Sequence, residues 1–126
     1  MNYPWLEDFI LSLPGCSKDY QQQWRATRYF VGGKMFAYAG EDNNGRGIIT
    51  LKLDPMDGAA LRERYPDVTP GYYANKLHWS SVDLNGAVPD EVFRQILLDS
   101  RETVFRALPG KIRREILQDG GGERQP

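Results

Sequence analysis

Within the five-residue run Asn75-Lys76-Leu77-His78-Trp79 stand an amide, an ammonium, the chain's single histidine and an indole, with Tyr72 and Tyr73 just upstream. These types suit recognition. Lys76 offers a phosphate contact, Asn75 and His78 offer hydrogen bonds, and Tyr72, Tyr73 or Trp79 offer flat faces for bases or for an apolar ligand. Ordinary structure would use the same atoms otherwise: Trp79 would fill the space between sheet and helix, the tyrosines would pack a loop, and His78 would satisfy a backbone group. Placement decides between these uses.

Other chemistries are scarcer. One histidine and one cysteine exclude tetrahedral zinc and iron–sulfur sites built from the side chains of this single chain. The acidic residues lack the spacing of a calcium-binding loop. The segment GGKMFAYAG lacks the order of a phosphate-binding P-loop, and no Gly-x-Gly-x-x-Gly opens a helix after a strand. Cys16 and His78 could form a nucleophile and base only if the fold joined them, and nothing near Cys16 in sequence lowers its thiol pKa. The expectation is a non-enzyme with no catalytic residues, no metal and no cofactor.

The chain has 126 residues, of which 40% are hydrophobic and 26% charged, with a mean hydropathy of −0.57. That supports one core in one domain, here expected over residues 1–118 with a disordered tail over 119–126. No apolar run approaches the roughly 20 residues that a membrane helix needs, and Glu7 and Asp8 stand where a secretory signal would be basic. A single cysteine agrees with a reducing compartment. A cytoplasmic monomer without membrane contact is expected. Net charge is −1, yet between Lys18 and Lys52 six basic residues face three acidic ones. Most surface charge serves solubility, so those cations matter only if the fold converges them.

The elements that must position these groups follow from periodicity. Asn2 is expected to cap a first helix, with Pro4 in its opening turn and Trp5, Leu6, Phe9, Ile10 and Leu13 at helical spacing before Pro14-Gly15. Residues 27–31, Gly32-Gly33 and residues 34–39 read as a β-hairpin. The polar run 41–45 is a second turn, and GIITLKL, residues 47–53, is a third strand. Asp54-Pro55 starts a short helix stopped by Pro66. A turn at Pro70-Gly71 precedes a strand over 78–84, in which His78, Ser80, Val82 and Leu84 face one way and Trp79, Ser81 and Asp83 the other. A longer helix from Pro89 to Pro109-Gly110 buries Val92, Phe93, Ile96, Leu97, Val104 and Leu108, and residues 111–118 form one more helical segment.

The run NKLHW, preceded by YPDVTPGYY and followed by a strand, Asn-Gly and Pro-Asp-Glu, resembles the MmcQ/YjbR family of small bacterial proteins. LPG near the N-terminus, WRATRYFVGGKMFA as strand, turn and strand, and TLKLDP leading into a short helix occur in the family's order, so the likeness spans roughly residues 5 to 115. The resemblance implies an α+β fold of CyaY-like type: two layers, an antiparallel β-sheet with helices packed on one face. It also implies a DNA-binding protein of double-wing arrangement, in which β-hairpins reach toward the duplex. On that reading Arg25, Arg28, Lys34, Arg46 and Lys76 contact phosphates. The rival reading is a small-molecule or protein-interaction module built on Tyr72, Asn75, Lys76, His78 and Trp79. An iron-handling role by analogy with frataxin-like folds has only Glu7 and Asp8 on the first helix to support it.

Overall fold

Gly32 and Gly33 hold φ values of 56° and 81°, a region that glycine enters without steric cost, and they reverse the chain between the strands Ala26–Val31 and Lys34–Glu41. The structure, a computed structural model, describes residues 1–71 and 74–124, the last five of these as backbone only. Its elements are α1 (Leu6–Ser12), β1 (Cys16–Gln21), β2 (Ala26–Val31), β3 (Lys34–Glu41), β4 (Gly47–Lys52), α2 (Pro55–Arg64), β5 (Val68–Pro70), β6 (Trp79–Asp83), α3 (Asp90–Phe105) and α4 (Gly110–Arg124). The six strands make one sheet in the order β1-β2-β3-β4-β6-β5, with every neighbouring pair antiparallel.

The architecture is the two-layer α+β arrangement that the resemblance implies. Register partners share a face, so Tyr29, Ala37 and Leu51 lie on one side, together with Ile49 and its partner Val82. All five are buried. Phe93, Ile96 and Leu97 of α3 and Leu6 and Ile10 of α1 complete this core. A bulge where β3 passes β2 admits Phe36 as an extra residue, and buried Ser100 of α3 donates its hydroxyl to the Phe36 carbonyl at 3.0 Å. The bulge therefore costs no unpaired carbonyl.

Asp54 caps α2 as its sequence predicts, accepting from the Met56 amide at 3.0 Å. Asn2 does not cap α1, whose N-cap position is Trp5 with no side-chain cap bond. Its side chain donates to the Gly86 carbonyl at 2.9 Å and its amide to the Leu84 carbonyl at 2.8 Å, fastening the N-terminal segment to the end of β6. Strands β1 and β5 were not foreseen. Helix α3 stops at Phe105, four residues before Pro109, and α4 begins at Gly110. The break expected after Gln118 falls inside the span of α4, and residues 125 and 126 lie outside the described residues.

Candidate ligand groove on the helix-free face

Among the described residues no helix packs on the opposite face of the sheet, and its side chains follow from the same register. Arg28 lies beside Tyr38, Tyr38 beside Thr50, Thr50 beside Ser81 and Lys52 beside Trp79. Thr50 and Ser81 are nevertheless buried, at 0% and 2% exposure. Their hydroxyls meet at 2.8 Å, so the buried pair satisfies itself. Above them Tyr38 is half-buried. Burial pushes its phenol pKa up, against a smaller opposing pull from its hydrogen bond with Thr50.

Two segments rise on either side of Tyr38. On one side, the β1–β2 turn holds Arg25 at φ 52° and presents Trp24, which is 52% exposed. The Trp24 and Tyr38 rings stand 5.9 Å apart, edge to face. On the other side is the loop before β6. There Asn75 accepts the Leu77 amide on its side-chain oxygen at 2.9 Å and receives the His78 and Trp79 amides on its carbonyl at 3.2 and 2.9 Å. This Asx-type turn delivers Trp79 to the helix-free face, 5.8 Å from Tyr38 and tilted by 49°. Gly71 closes the loop: its amide donates to the Trp79 carbonyl at 2.8 Å, and a Cβ there would lie 2.7 Å from the Trp79 Cβ.

Between the two walls runs a groove of about 650 Å³, within the size of small-molecule sites. Tyr38, Met35, Ala26, Gly40 and Ile48 form its floor; Gln23 and Trp24 line one wall, and Ala74, Asn75 and Trp79 the other. Glu41 also lines it, at the end of β3. Ala26 and Gly40 matter by being small, because any side chain at Gly40 would press on the Arg25 carbonyl at 3.2 Å and fill the floor.

The residues singled out by sequence are distributed as follows. Asn75 and Trp79 line the groove, while His78 is half-buried beside it. Trp79 does not fill the sheet–helix space, since its strand position turns it to the other face. Tyr72 and Tyr73 lie outside the described residues. Lys76 donates to the Gly71 carbonyl at 3.2 Å, folding back on its own loop. Arg28 is bound through two nitrogens to Asp19, its Nε at 2.7 Å, and its guanidinium stacks over Trp24 and Phe30 at 5.4 and 5.2 Å. This pairing holds the Asp19 carboxyl below the usual range and raises Arg28. Lys34 begins β3, whereas Arg25 and Arg46 sit at turns bordering its other end, roughly 24 Å away by strand rise. Arg46 approaches Asp83 at 4.0 Å. The five cations therefore do not form one cluster.

Cys16 and His78 are not brought together. Cys16 is on β1 and His78 adjoins β6, four strand spacings apart or roughly 19 Å. Burial pushes the Cys16 thiol up, outweighing the opposing influence of Arg101. Among the described residues, no group of three or more His, Cys, Asp or Glu is placed to hold a metal, and no helix is long and apolar enough to cross a membrane.

A family model described as YjbR matches residues 11–103, a stretch that includes both groove walls and the floor. The chain belongs to the YjbR family. It is 31% identical over 113 residues to the "Uncharacterized protein YjbR" of Escherichia coli strain K12, covering 90% of this chain and 95% of that one. It is also 31% identical over 86 residues to the "Uncharacterized protein YbdF" of Escherichia coli O157:H7, covering 68% and 70%. Among solved structures, protein DR2400 of Deinococcus radiodurans superposes with a TM-score of 0.77 at 28% identity, over 88% of this chain and 84% of that one. A Pseudomonas syringae protein superposes with a TM-score of 0.70 at 22% identity, over 82% and 98%, a likeness of fold. Within this YjbR-family chain, sequence reasoning reached Asn75 and Trp79 but missed Trp24, Tyr38 and Glu41. The available signal was the alternation through β3, which puts Tyr38 and Gly40 on the face away from Ala37 and Ala39.

Proposed function

We propose that this YjbR-family chain is a small-molecule-binding module whose groove takes a flat ligand against Trp24, Tyr38 and Trp79. The observation that carries this reading is the row of three aromatic rings, at successive centroid separations of 5.9 and 5.8 Å, on a helix-free sheet face. An indole more than half exposed at the mouth of such a groove is an apolar surface in need of a cover, and flat rings recognise flat partners. Buried Thr50 and Ser81 beneath Tyr38 keep the floor rigid, as a preformed site requires.

The test is a screen of planar aromatic fragments by thermal shift on the intact chain and on Trp24→Ala. Binding to the native state raises the melting temperature by mass action. Hits are expected with the native chain and lost with Trp24→Ala. No hit, or hits indifferent to Trp24, would reject the reading.

Duplex DNA is the second reading. It is favoured by the two walls projecting from one face, with Arg25 on one and Lys76 on the other, an arrangement that suits two wings. Against it stand the Asp19 partner of Arg28 and the separation of Lys34 from Arg25 and Arg46, which leave few cations free to meet one phosphate track.

A further inference from the structure

The two borders of the sheet are unlike. β5 is three residues ending in proline, whereas β1 runs for six residues without proline, glycine or bulge, and Ser17, Lys18, Asp19 and Tyr20 along it are all exposed. Its outward backbone groups follow from the ladder. The Gly32 amide donates to the Gly15 carbonyl at 3.1 Å, and hydrogen-bonded pairs alternate along antiparallel strands, so Ser17, Asp19 and Gln21 spend their amides and carbonyls on β2. Cys16, Lys18 and Tyr20 turn theirs outward. The Cys16 amide goes to the Leu13 carbonyl at 3.2 Å, while the Lys18 and Tyr20 amides and all three carbonyls have no hydrogen-bond partner among the described residues. An open edge of this kind is a template for another strand.

Charged side chains can guard such an edge, but here both are drawn back onto their own chain: Lys18 to Glu7 at 2.9 Å and Asp19 to Arg28 at 2.7 Å. Neither brings an unneutralised charge to a strand–strand contact. The strand is also complementary to itself. Laid antiparallel about a twofold axis at Lys18, two copies match outward groups with outward groups: the Lys18 amides and carbonyls pair with each other, and each Tyr20 amide meets the partner's Cys16 carbonyl. The Ser17 hydroxyl then lies opposite the partner's Asp19 carboxylate, which can accept from it.

We infer that β1 is a self-association edge through which two copies of this chain join their sheets. The contact is a single strand pair, smaller than the roughly 1,200 Å² of stable interfaces, so the dimer is weak and forms as concentration rises. It leaves the aromatic groove open and is independent of what the groove takes.

Sedimentation equilibrium of the intact chain up to millimolar concentration is expected to show a monomer–dimer equilibrium. Amide exchange followed by NMR is expected to slow with concentration at Lys18 and Tyr20 and to stay unchanged at Asp19, already bonded to β2. Tyr20→Pro removes an outward amide without touching the β1–β2 ladder and is expected to weaken the dimer about tenfold, the scale of one hydrogen bond lost on each side of the axis. Ser17→Asp and Ser17→Lys change only an exposed side chain and are expected to weaken and tighten the dimer, respectively, by about threefold, through the charge each sets opposite the partner's Asp19. A chain that stays monomeric throughout, or a dimer in which Lys18 and Tyr20 exchange as in the monomer, would overturn the inference. So would a dimer indifferent to Tyr20→Pro or to both changes at Ser17.

Discussion

Arg28 shows how little a residue's type says about its availability. Its guanidinium is closed by Asp19 on one side and by the rings of Trp24 and Phe30 on the others, so it props a groove wall. The sequence offered Arg28 and Lys34 as equivalent hairpin cations, because the strand that carries Asp19 has no apolar alternation to announce it. Tyr38 was hidden for a different reason: alternation from Ala37 to Gly40 gives its face, but only the sheet order and the placement of the helices tell which face is left to form a groove. The pairing makes a prediction in acid. Asp19 has its folded pKa depressed, so its contribution is present above the unfolded value near 3.9 and is lost as pH falls through the lower folded one. Asp19→Asn is therefore expected to flatten the decline of stability with acid in that window, measured by urea unfolding at stepped pH. An unchanged decline would show that the pair adds nothing to folding. The same variant frees Arg28 to leave Trp24, which should broaden the Trp24 indole resonance in NMR spectra.

At the level of elements, the strands read correctly are those whose own residues alternate or whose turns demand glycine, as in β2, β3 and β4. β1, Cys-Ser-Lys-Asp-Tyr-Gln, is exposed along most of its length and exists because β2 pairs with it; no local propensity declares it. β5 is three residues ending in proline, tolerated because it is an edge. The Gly32-Gly33 turn was legible as a turn, but the unequal roles of its two glycines were not, because they depend on α4 and on Leu108 just before it. A Cβ on Gly32 would come within 2.7 Å of Leu108 Cδ1 and 3.1 Å of Ile112 and Ile116, whereas one on Gly33 meets nothing within 4 Å. Both substitutions bear the positive-φ strain of roughly 1–2 kcal/mol. Only Gly32→Ala adds overpacking, of about 1–3 kcal/mol. Gly32→Ala is expected to cost about twice as much stability as Gly33→Ala in urea unfolding. Equal costs would mean that Leu108 and α4 do not press on the hairpin in solution.

For the molecule as a whole, charge bears most directly on the choice between a ligand and a nucleic acid. Composition told the net charge of −1, and the arrangement could not be known before the sheet order was. The order places Lys34 at one end of β3 and Arg25 and Arg46 at the other, so a duplex laid along either end forfeits cations at the opposite one. Three phosphate contacts, from Arg25, Arg46 and Lys76, are a generous allowance for the wing face. The corresponding salt dependence is a slope near −3 in log Kobs against log salt, with affinity no better than the ~10⁻⁴–10⁻⁶ M range of non-specific binding. Fluorescence anisotropy on a labelled duplex from 50 to 200 mM salt measures both quantities. A slope steeper than about −5 with submicromolar affinity would require more cations than this face gathers and would move the working surface away from the aromatic groove. A shallow slope, with Trp24→Ala leaving the weak duplex affinity untouched while abolishing fragment binding, would separate the two readings in favour of the groove.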